Sequence, residues 1–223
     1  LQAVRDAPEL ATAYENAYIA VTGDVEQRQL LPMLCSYRAM VRAKVAALSA
    51  VEPELPAADR QGARESALRH VLLAAAMTAE AGPPVWIVLC GPPASGKSTL
   101  CLQLAKIAHW PHLANDFVRK QLAGIAPTER ASPEFYSAAF SDRTYAEVAA
   151  RAVAASATGQ PAVLIDGNFA TPARRASIAA TANTHGIAAI FVHLDIDQAT
   201  AQKRATRRAQ DPENISDAGP QKA

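Results

Sequence analysis

At 223 residues, half of them hydrophobic and 19% charged, the chain has the makeup of one large or two small packed domains, which excludes a disordered or fibrous protein. A formal net charge of +1 supplies no overall field for nucleic acid or a membrane surface, and no run of about 18 apolar residues offers a membrane span. Three cysteines (Cys35, Cys90, Cys101) without CxxC spacing read as reduced thiols of a cytoplasmic protein.

The pattern over residues 1–81 is helical. "ELATAYENAYIAVTG" comes first, then "QLLPMLCSYRAMVRAKVAALSAV", in which Leu34, Tyr37, Val41, Val45 and Leu48 recur at three- and four-residue steps and form one apolar stripe. Pro53 and Pro56 end that helix, "PAADRQG" reads as a connector, and "RESALRHVLLAAAMTAEAG" reads as a third helix stopped by Gly82-Pro83-Pro84. Residues 82–223 change texture. "VWIVLC" suits a strand buried on both faces, "STLCLQLAKIA" a helix, "HLAND" a short strand, and "FVRKQLAG" a helix ending at Gly124. One helical stretch covers "PEFYSAAFSDRTYAEVAARAVAASATG". Then follow "PAVLIDG" as strand, "TPARRASIAATANTHG" as helix, "IAAIFVHLDID" as strand and "QATAQKRATRRAQ" as a basic helix. Alternation of this kind predicts the α/β class, a parallel sheet with flanking helices, preceded by an α-helical segment. His109 and His112 read as surface or turn histidines, and Asn214-Ile215-Ser216 as a chance sequon.

The sharpest signal is Gly91-Pro92-Pro93-Ala94-Ser95-Gly96-Lys97-Ser98, a full match to G-x-x-x-x-G-K-[ST] with a strand before it and a helix after it. Glycines at Gly91 and Gly96 let backbone amides turn inward around phosphates, and the helix N-terminus adds positive potential. Pro92 and Pro93 lack an N–H, so the cradle falls to the amides from Ala94 and Ser95 through Ser98, with Thr99 next in line. Lys97 is placed to neutralise the outer phosphates and Ser98 to ligate Mg²⁺.

Acids fall where predicted strands end, the edge at which α/β sheets bind ligands. Asp166 after "PAVLI" fits an Mg²⁺-tuning acid, and Asp116 after "HLAN" is placed to take a proton from a hydroxyl acceptor, with helix capping as its alternative. Asp197, before "QATAQK", reads as a cap. Basic residues follow each strand. Arg119 and Lys120 follow Asp116, Arg174 and Arg175 follow Asp166, and Lys203, Arg204, Arg207 and Arg208 stud the last helix, where arginines could reach a transferring phosphoryl group. Arg119 and Arg174 are the candidate substrate contacts, and a solvated basic face is the alternative for any single arginine.

From Ile87 to about Ser216 these residues resemble the small P-loop kinases of AAA-33 type, relatives of the zeta-toxin and chloramphenicol-phosphotransferase group. The resemblance rests on "CGPPASGKST", "NDFVRKQLAG", "TYAEVAARAVAASATGQPAVLIDGNF" and "KRATRRAQDPENISDA". It implies ATP as donor, Asp116 as the acceptor-activating base, and Arg204 with Arg208 as a lid. Asn115 stands where such kinases favour Ser, and Gly167-Asn168 where small or hydroxyl residues are usual. "AVTGDVEQRQLLPMLCSYRAMVRAKVAALS" resembles the C-terminal end of an aminoglycoside-phosphotransferase-like domain, so an upstream kinase-like domain is the expected partner in the parent chain. The lack of a starting Met and the stop soon after the basic helix read as truncation at both ends.

The leading expectation is an ATP- and Mg²⁺-dependent phosphotransferase acting on a hydroxyl of a small molecule. Lys97, Asp116, Arg204 and Arg208 would be catalytic, and Ser98 with Asp166 would hold the metal. The alternatives are an ATPase or polynucleotide 5′-hydroxyl kinase and a non-catalytic nucleotide-sensing module. Near-neutral charge and the lack of an aromatic-studded basic groove weigh against nucleic acid.

Overall fold

A computed structural model describes residues 7–209 and Asp217. The chain forms two compact units, one running through Pro83 and taking in Lys106–His109, the other holding Pro84–Ala105 and the residues from Trp110 onward.

The first unit contains α1 (Pro8–Thr22), α2 (Gln27–Ser49) and α3 (Ala57–Glu80). Gly23 closes α1 in a left-handed cap, its N–H donating to Ile19 O. The expected connector "PAADRQG" is mostly helix: Pro56 is the N-cap of α3, and Gly62 lies inside it. A proline there gives up no intrahelical bond, so it opens the helix rather than preventing it. α2 and α3 pack antiparallel, the Ser36 hydroxyl donating to Ala74 O at 3.0 Å and lying 2.9 Å from the Thr78 hydroxyl. Small residues line the seam, with Ala39 and Ala43 buried on one helix and Ala74, along with the larger His70, on the other. Alanines let the two backbones approach closely. The stripe seen in the sequence is not this seam. Leu34, Tyr37, Val45 and Leu48 are exposed. Among the described residues no helix is long and apolar enough to cross a membrane.

The second unit is a four-stranded parallel sheet with helices, ordered β2-β3-β1-β4. Its strands are β1 (Val85–Cys90), β2 (His112–Ala114), β3 (Ala162–Asp166) and β4 (Ala188–His193). The helices are α4 (Lys97–Ala108), α5 (Asn115–Ala123), α6 (Ala138–Ser156), α7 (Pro172–Thr184) and α8 (Gln198–Ala209). The central strands β3 and β1 read as near-continuous apolar runs because both faces are covered; all five residues of β3 are buried. The core gathers Trp86, Val88, Val118, Val148, Val163, Ile165 and Phe169. Trp86 keeps its ring buried by donating its Nε1–H to Ser156 Oγ at 2.9 Å.

The stretch "PEFY" is a separate 3₁₀ turn, Pro133–Tyr136, and not the start of α6. Ser137 breaks the two apart and caps α6, its hydroxyl accepting from Phe140 N. Register aligns the strand ends, with Leu89 and Ala114 both opposite Asp166. The carboxyl ends of β1, β2 and β3 therefore form one edge, and β2 is reached from β1 by a crossover that leaves room for β3 between them. That switch point is where a ligand crevice forms in such sheets.

Candidate active site

The loop between β1 and α4 has three residues in the left-handed region within six positions: Gly91 at φ 138, Ala94 at φ 61 and Gly96 at φ 100. Such alternation turns successive N–H groups toward one concavity, a nest for anionic oxygens. Gly91 is required twice over, because a Cβ there would come 2.3 Å from Leu194 O. Leu194 itself is held by its N–H donating to Cys90 O at 2.9 Å, so the end of β4 closes one wall of the loop. Lys97 begins α4 and folds back over the loop, donating from Nζ to Pro92 O at 2.7 Å and Gly91 O at 3.0 Å. Its ammonium thus lies at the mouth of the nest, satisfied by carbonyls that arriving phosphates would replace. Ser98 and Thr99 are exposed in the first turn of α4, and Ser95 is buried.

Asp166 is buried at the end of β3. The thiol of Cys101, one turn beyond Lys97 on α4, is pushed far above its ordinary value, first by burial and then by the Asp166 charge, while Lys97 pulls it down. Asp166, Lys97 and Cys101 therefore share one electrostatic neighbourhood. Among the described residues no cluster of three or more His, Cys, Asp or Glu could hold a metal by protein ligands alone. A hydroxyl and one carboxylate beside a phosphate nest nevertheless suit Mg²⁺, which keeps waters and binds through few protein oxygens plus phosphates.

Asp116 lies in the first turn of α5, half-buried. It is not the cap of that helix, which starts at Asn115 with Ala114 as N-cap and no side-chain capping bond. Asp197 does cap, accepting from Thr200 N–H at 2.8 Å, and these backbone bonds hold its carboxyl below the usual range. The charge of Asp116 is felt at Tyr136: burial, the hydrogen bond to Asp217 and the charges of Asp116 and Asp217 all push that phenol well above its ordinary value, against the pull of Arg119.

The basic residues divide sharply. Arg204 Nη1 lies 3.8 Å from the point a Gly96 Cβ would occupy, so α8 brings one arginine onto the phosphate loop. The Arg208 side chain lies outside the described residues, as does the Asn214 sequon. Arg119 is buried and held by its own chain, donating to Phe135 O at 2.6 Å and Ser141 Oγ at 3.2 Å with its guanidinium 4.6 Å over the Tyr136 ring. Arg174 stacks on Tyr145 at 4.3 Å and lies 3.6 Å from Asp142, and Arg175 donates to Phe169 O at 2.6 Å.

Two features escaped the sequence reading. His112 is not a turn residue: it sits on β2, partly buried, with Nε2 3.7 Å from Asp166 Oδ2. Strand alternation puts His112 and Ala114 on one face, but only the pairing with β3 reveals what that face meets. The second is a pair. A Cβ on Gly167 would fall 2.5 Å from Asn115 Nδ2, and Asn115 is buried with neither amide atom hydrogen-bonded among the described residues. The two positions that departed from the expected pattern are packed against each other, the larger residue at 115 demanding none at 167.

Compared with known families, residues 86–221 match the AAA_33 profile (AAA domain), more than half of the chain. The chain belongs to the AAA_33 family. Similar solved structures to this AAA_33 chain include a gluconokinase from Sinorhizobium meliloti, 19% identical, with 59% of this chain and 70% of that one covered at a TM-score of 0.40. Another is a provisionally assigned kinase from Chloroflexus aurantiacus, 21% identical, with coverage of 59% and 72% and a TM-score of 0.45. No curated protein matches. The family match, the parallel sheet and the phosphate loop together make this an α/β P-loop domain of the AAA_33 family.

Proposed function

We propose that this AAA_33 domain transfers the γ-phosphoryl group of ATP to a hydroxyl of a small molecule. The observation that carries this reading is the convergence at one sheet edge of a phosphate nest, two strand-end acids and an arginine lying on the loop. An ATPase needs no acceptor-activating acid, whereas Asp116 stands half-buried in the first turn of α5, two residues beyond the end of β2 on that edge.

In this reading the amides from Ala94 through Ser98 hold the phosphates and Lys97 moves from the loop carbonyls to the outer phosphate oxygens. Ser98 and Asp166 hold Mg²⁺, which when bound would neutralise charge on the phosphates. Asp116 accepts the proton of the acceptor hydroxyl as its oxygen bonds to phosphorus and the bond to the ADP oxygen breaks. Arg204, with Arg208 on the same helix, stabilises the charge spread over the transferring group. Arg174 offers an acceptor contact from the start of α7, and Arg119 shapes the acceptor side by fixing the 3₁₀ turn beneath it. The helical segment 1–81 is taken as the end of an aminoglycoside-phosphotransferase-like domain, and unpaired cysteine spacing supports a cytoplasmic setting.

Asp116→Asn tests the division of labour. Nucleotide affinity should stay within about threefold of wild type while transfer falls by at least ~10²-fold, the scale of a lost general base. Equal loss of binding and transfer would place Asp116 in the nucleotide site and remove it as the base.

A further inference from the structure

Two tracts of the sequence remain without a role in the chemistry: Lys120 in "NDFVRKQLAG" and Asp217 in "KRATRRAQDPENISDA". The structure joins them. Lys120 is 1% exposed, and a buried ammonium is stable only if paired and hydrogen-bonded. Its Nζ lies 3.2 Å from Asp217 Oδ1 and donates to Pro127 O at 2.9 Å. The other carboxylate oxygen, Asp217 Oδ2, accepts from Tyr136 Oη at 2.6 Å and from the Ala131 N–H at 3.3 Å. One carboxylate thus ties three points: α5, the backbone at Ala131 and the phenol of the 3₁₀ turn.

The position of Asp217 in the chain gives this clasp its meaning. It stands eight residues beyond the end of α8, the helix whose Arg204 lies on the phosphate loop. The start of α8 is fixed by the Asp197 cap, three residues after the Leu194 that walls that loop. The end of segment 127–136, in turn, lies against Arg119, through Phe135 O and the Tyr136 ring, with the charge of Asp116 felt at the Tyr136 phenol. The acceptor side is therefore held by a carboxylate that the chain itself tethers to the arginine helix.

We propose that Asp217 is a positioning residue that couples the two sides: docked on Lys120, Tyr136 and Ala131, it holds segment 127–136 in place and anchors the chain leading from the arginine helix, so that nucleotide contact with α8 orders the acceptor segment. The clasp stands on its own contacts; the naming of the two sides rests on the kinase reading above. A purely structural ion pair would stabilise the fold without carrying a signal from nucleotide to segment 127–136.

Hydrogen exchange on the full chain separates these. It is measured for wild type, Asp217→Asn and Tyr136→Phe, with and without a non-hydrolysable ATP analogue and Mg²⁺. In wild type the analogue should slow exchange over residues 127–136. Asp217→Asn should speed exchange there by about tenfold or more, most at Ala131, and should erase the analogue's effect on that segment while analogue affinity stays within about threefold. Tyr136→Phe, which removes only one bond of the clasp, should give a smaller increase in the same segment and covers the case in which Asp217→Asn does not fold. Exchange over 127–136 unchanged in Tyr136→Phe and in any folded Asp217→Asn overturns the clasp. Faster exchange with the analogue's slowing intact in Asp217→Asn, or no slowing in wild type that binds the analogue, overturns the coupling. Wild type that does not bind the analogue removes the kinase reading, and the nucleotide-free comparison still decides the clasp.

Discussion

Gly91→Ala should destabilise the second unit by about 3 kcal/mol, for two separable reasons. A φ of 138° lies where an L side chain is strained, at a cost of roughly 1–3 kcal/mol. The new Cβ would also stand 2.3 Å from Leu194 O, 3.3 Å from its carbonyl carbon and 3.4 Å from its nitrogen. Ordinary contact needs about 3.5 Å, so backbone must move by about 1 Å. The backbone in question is tied by the Leu194 N–H bond to Cys90 O at 2.9 Å, and stretching it forfeits a further ~1 kcal/mol. Gly186→Ala is the control: its φ is also positive, at 69°, but nothing lies within 4 Å of the Cβ, leaving only a backbone cost of about 1–2 kcal/mol. Thermal unfolding followed by circular dichroism should show Gly91→Ala lowering Tm by roughly 6–12 °C and Gly186→Ala by about one to two thirds of that. ATP-analogue affinity should fall only in Gly91→Ala, because that loop is the phosphate nest. Equal Tm losses for the two variants, or a Gly91→Ala protein with unchanged nucleotide affinity, would refute the argument that β4 walls the loop.

Other outcomes follow from the same geometry. Arg204→Ala should lower the transfer rate by at least ~10²-fold with nucleotide affinity changed only a few-fold, since a charge-stabilising arginine acts mainly in the transition state. Equal losses in both would make Arg204 a ground-state phosphate contact. The Asp197 cap should weaken on acidification: its folded carboxyl is held below the usual value, so the stabilisation it gives α8 is present above that value and is lost as pH falls through the lowered one. Amide shifts of Thr200 followed by NMR should titrate below the ordinary aspartate range and vanish from the profile in Asp197→Ala. A thiol reagent at neutral pH should modify Cys35 first, because Cys35 is exposed whereas Cys90 and Cys101 are buried and burial beside Asp166 keeps Cys101 protonated. Fast labelling of Cys101 would contradict its placement under the phosphate loop.

What could be read from residues alone was whatever depends on local geometry. The phosphate loop was legible because its chemistry demands fixed spacing: amides from a tight turn, then a lysine and a hydroxyl on the first helical turn. The parallel sheet was legible from alternation, and the Asp197 cap from its place before a polar helix. Facts set by pairing were not. Nothing in "HLAND" says that β2 lies beside β3, so His112 could not be matched with Asp166, nor Asn115 with Gly167. The same holds for Lys120 and Asp217, 97 positions apart along the chain. The α2 stripe misled in a different way: its large side chains drew attention, but α3 packs on the alanines because close helix approach rewards small residues. Asp116 was the instructive middle case. Its position at a helix start suggested a cap, and the structure moves that helix start back to Asn115, which takes the capping role from its half-buried carboxylate.

The central claim is that phosphate moves from nucleotide to a small hydroxyl acceptor. The direct measurement follows label from γ-labelled ATP in the presence of Mg²⁺ and a panel of hydroxyl-bearing metabolites, nucleotide sugars, antibiotics and 5′-hydroxyl oligonucleotides. The account predicts label on one small-molecule acceptor, lost in Asp116→Asn although that variant still binds ATP. Tight nucleotide binding with no transfer to any acceptor and no acceptor-stimulated hydrolysis would contradict it and leave a nucleotide-sensing domain in its place.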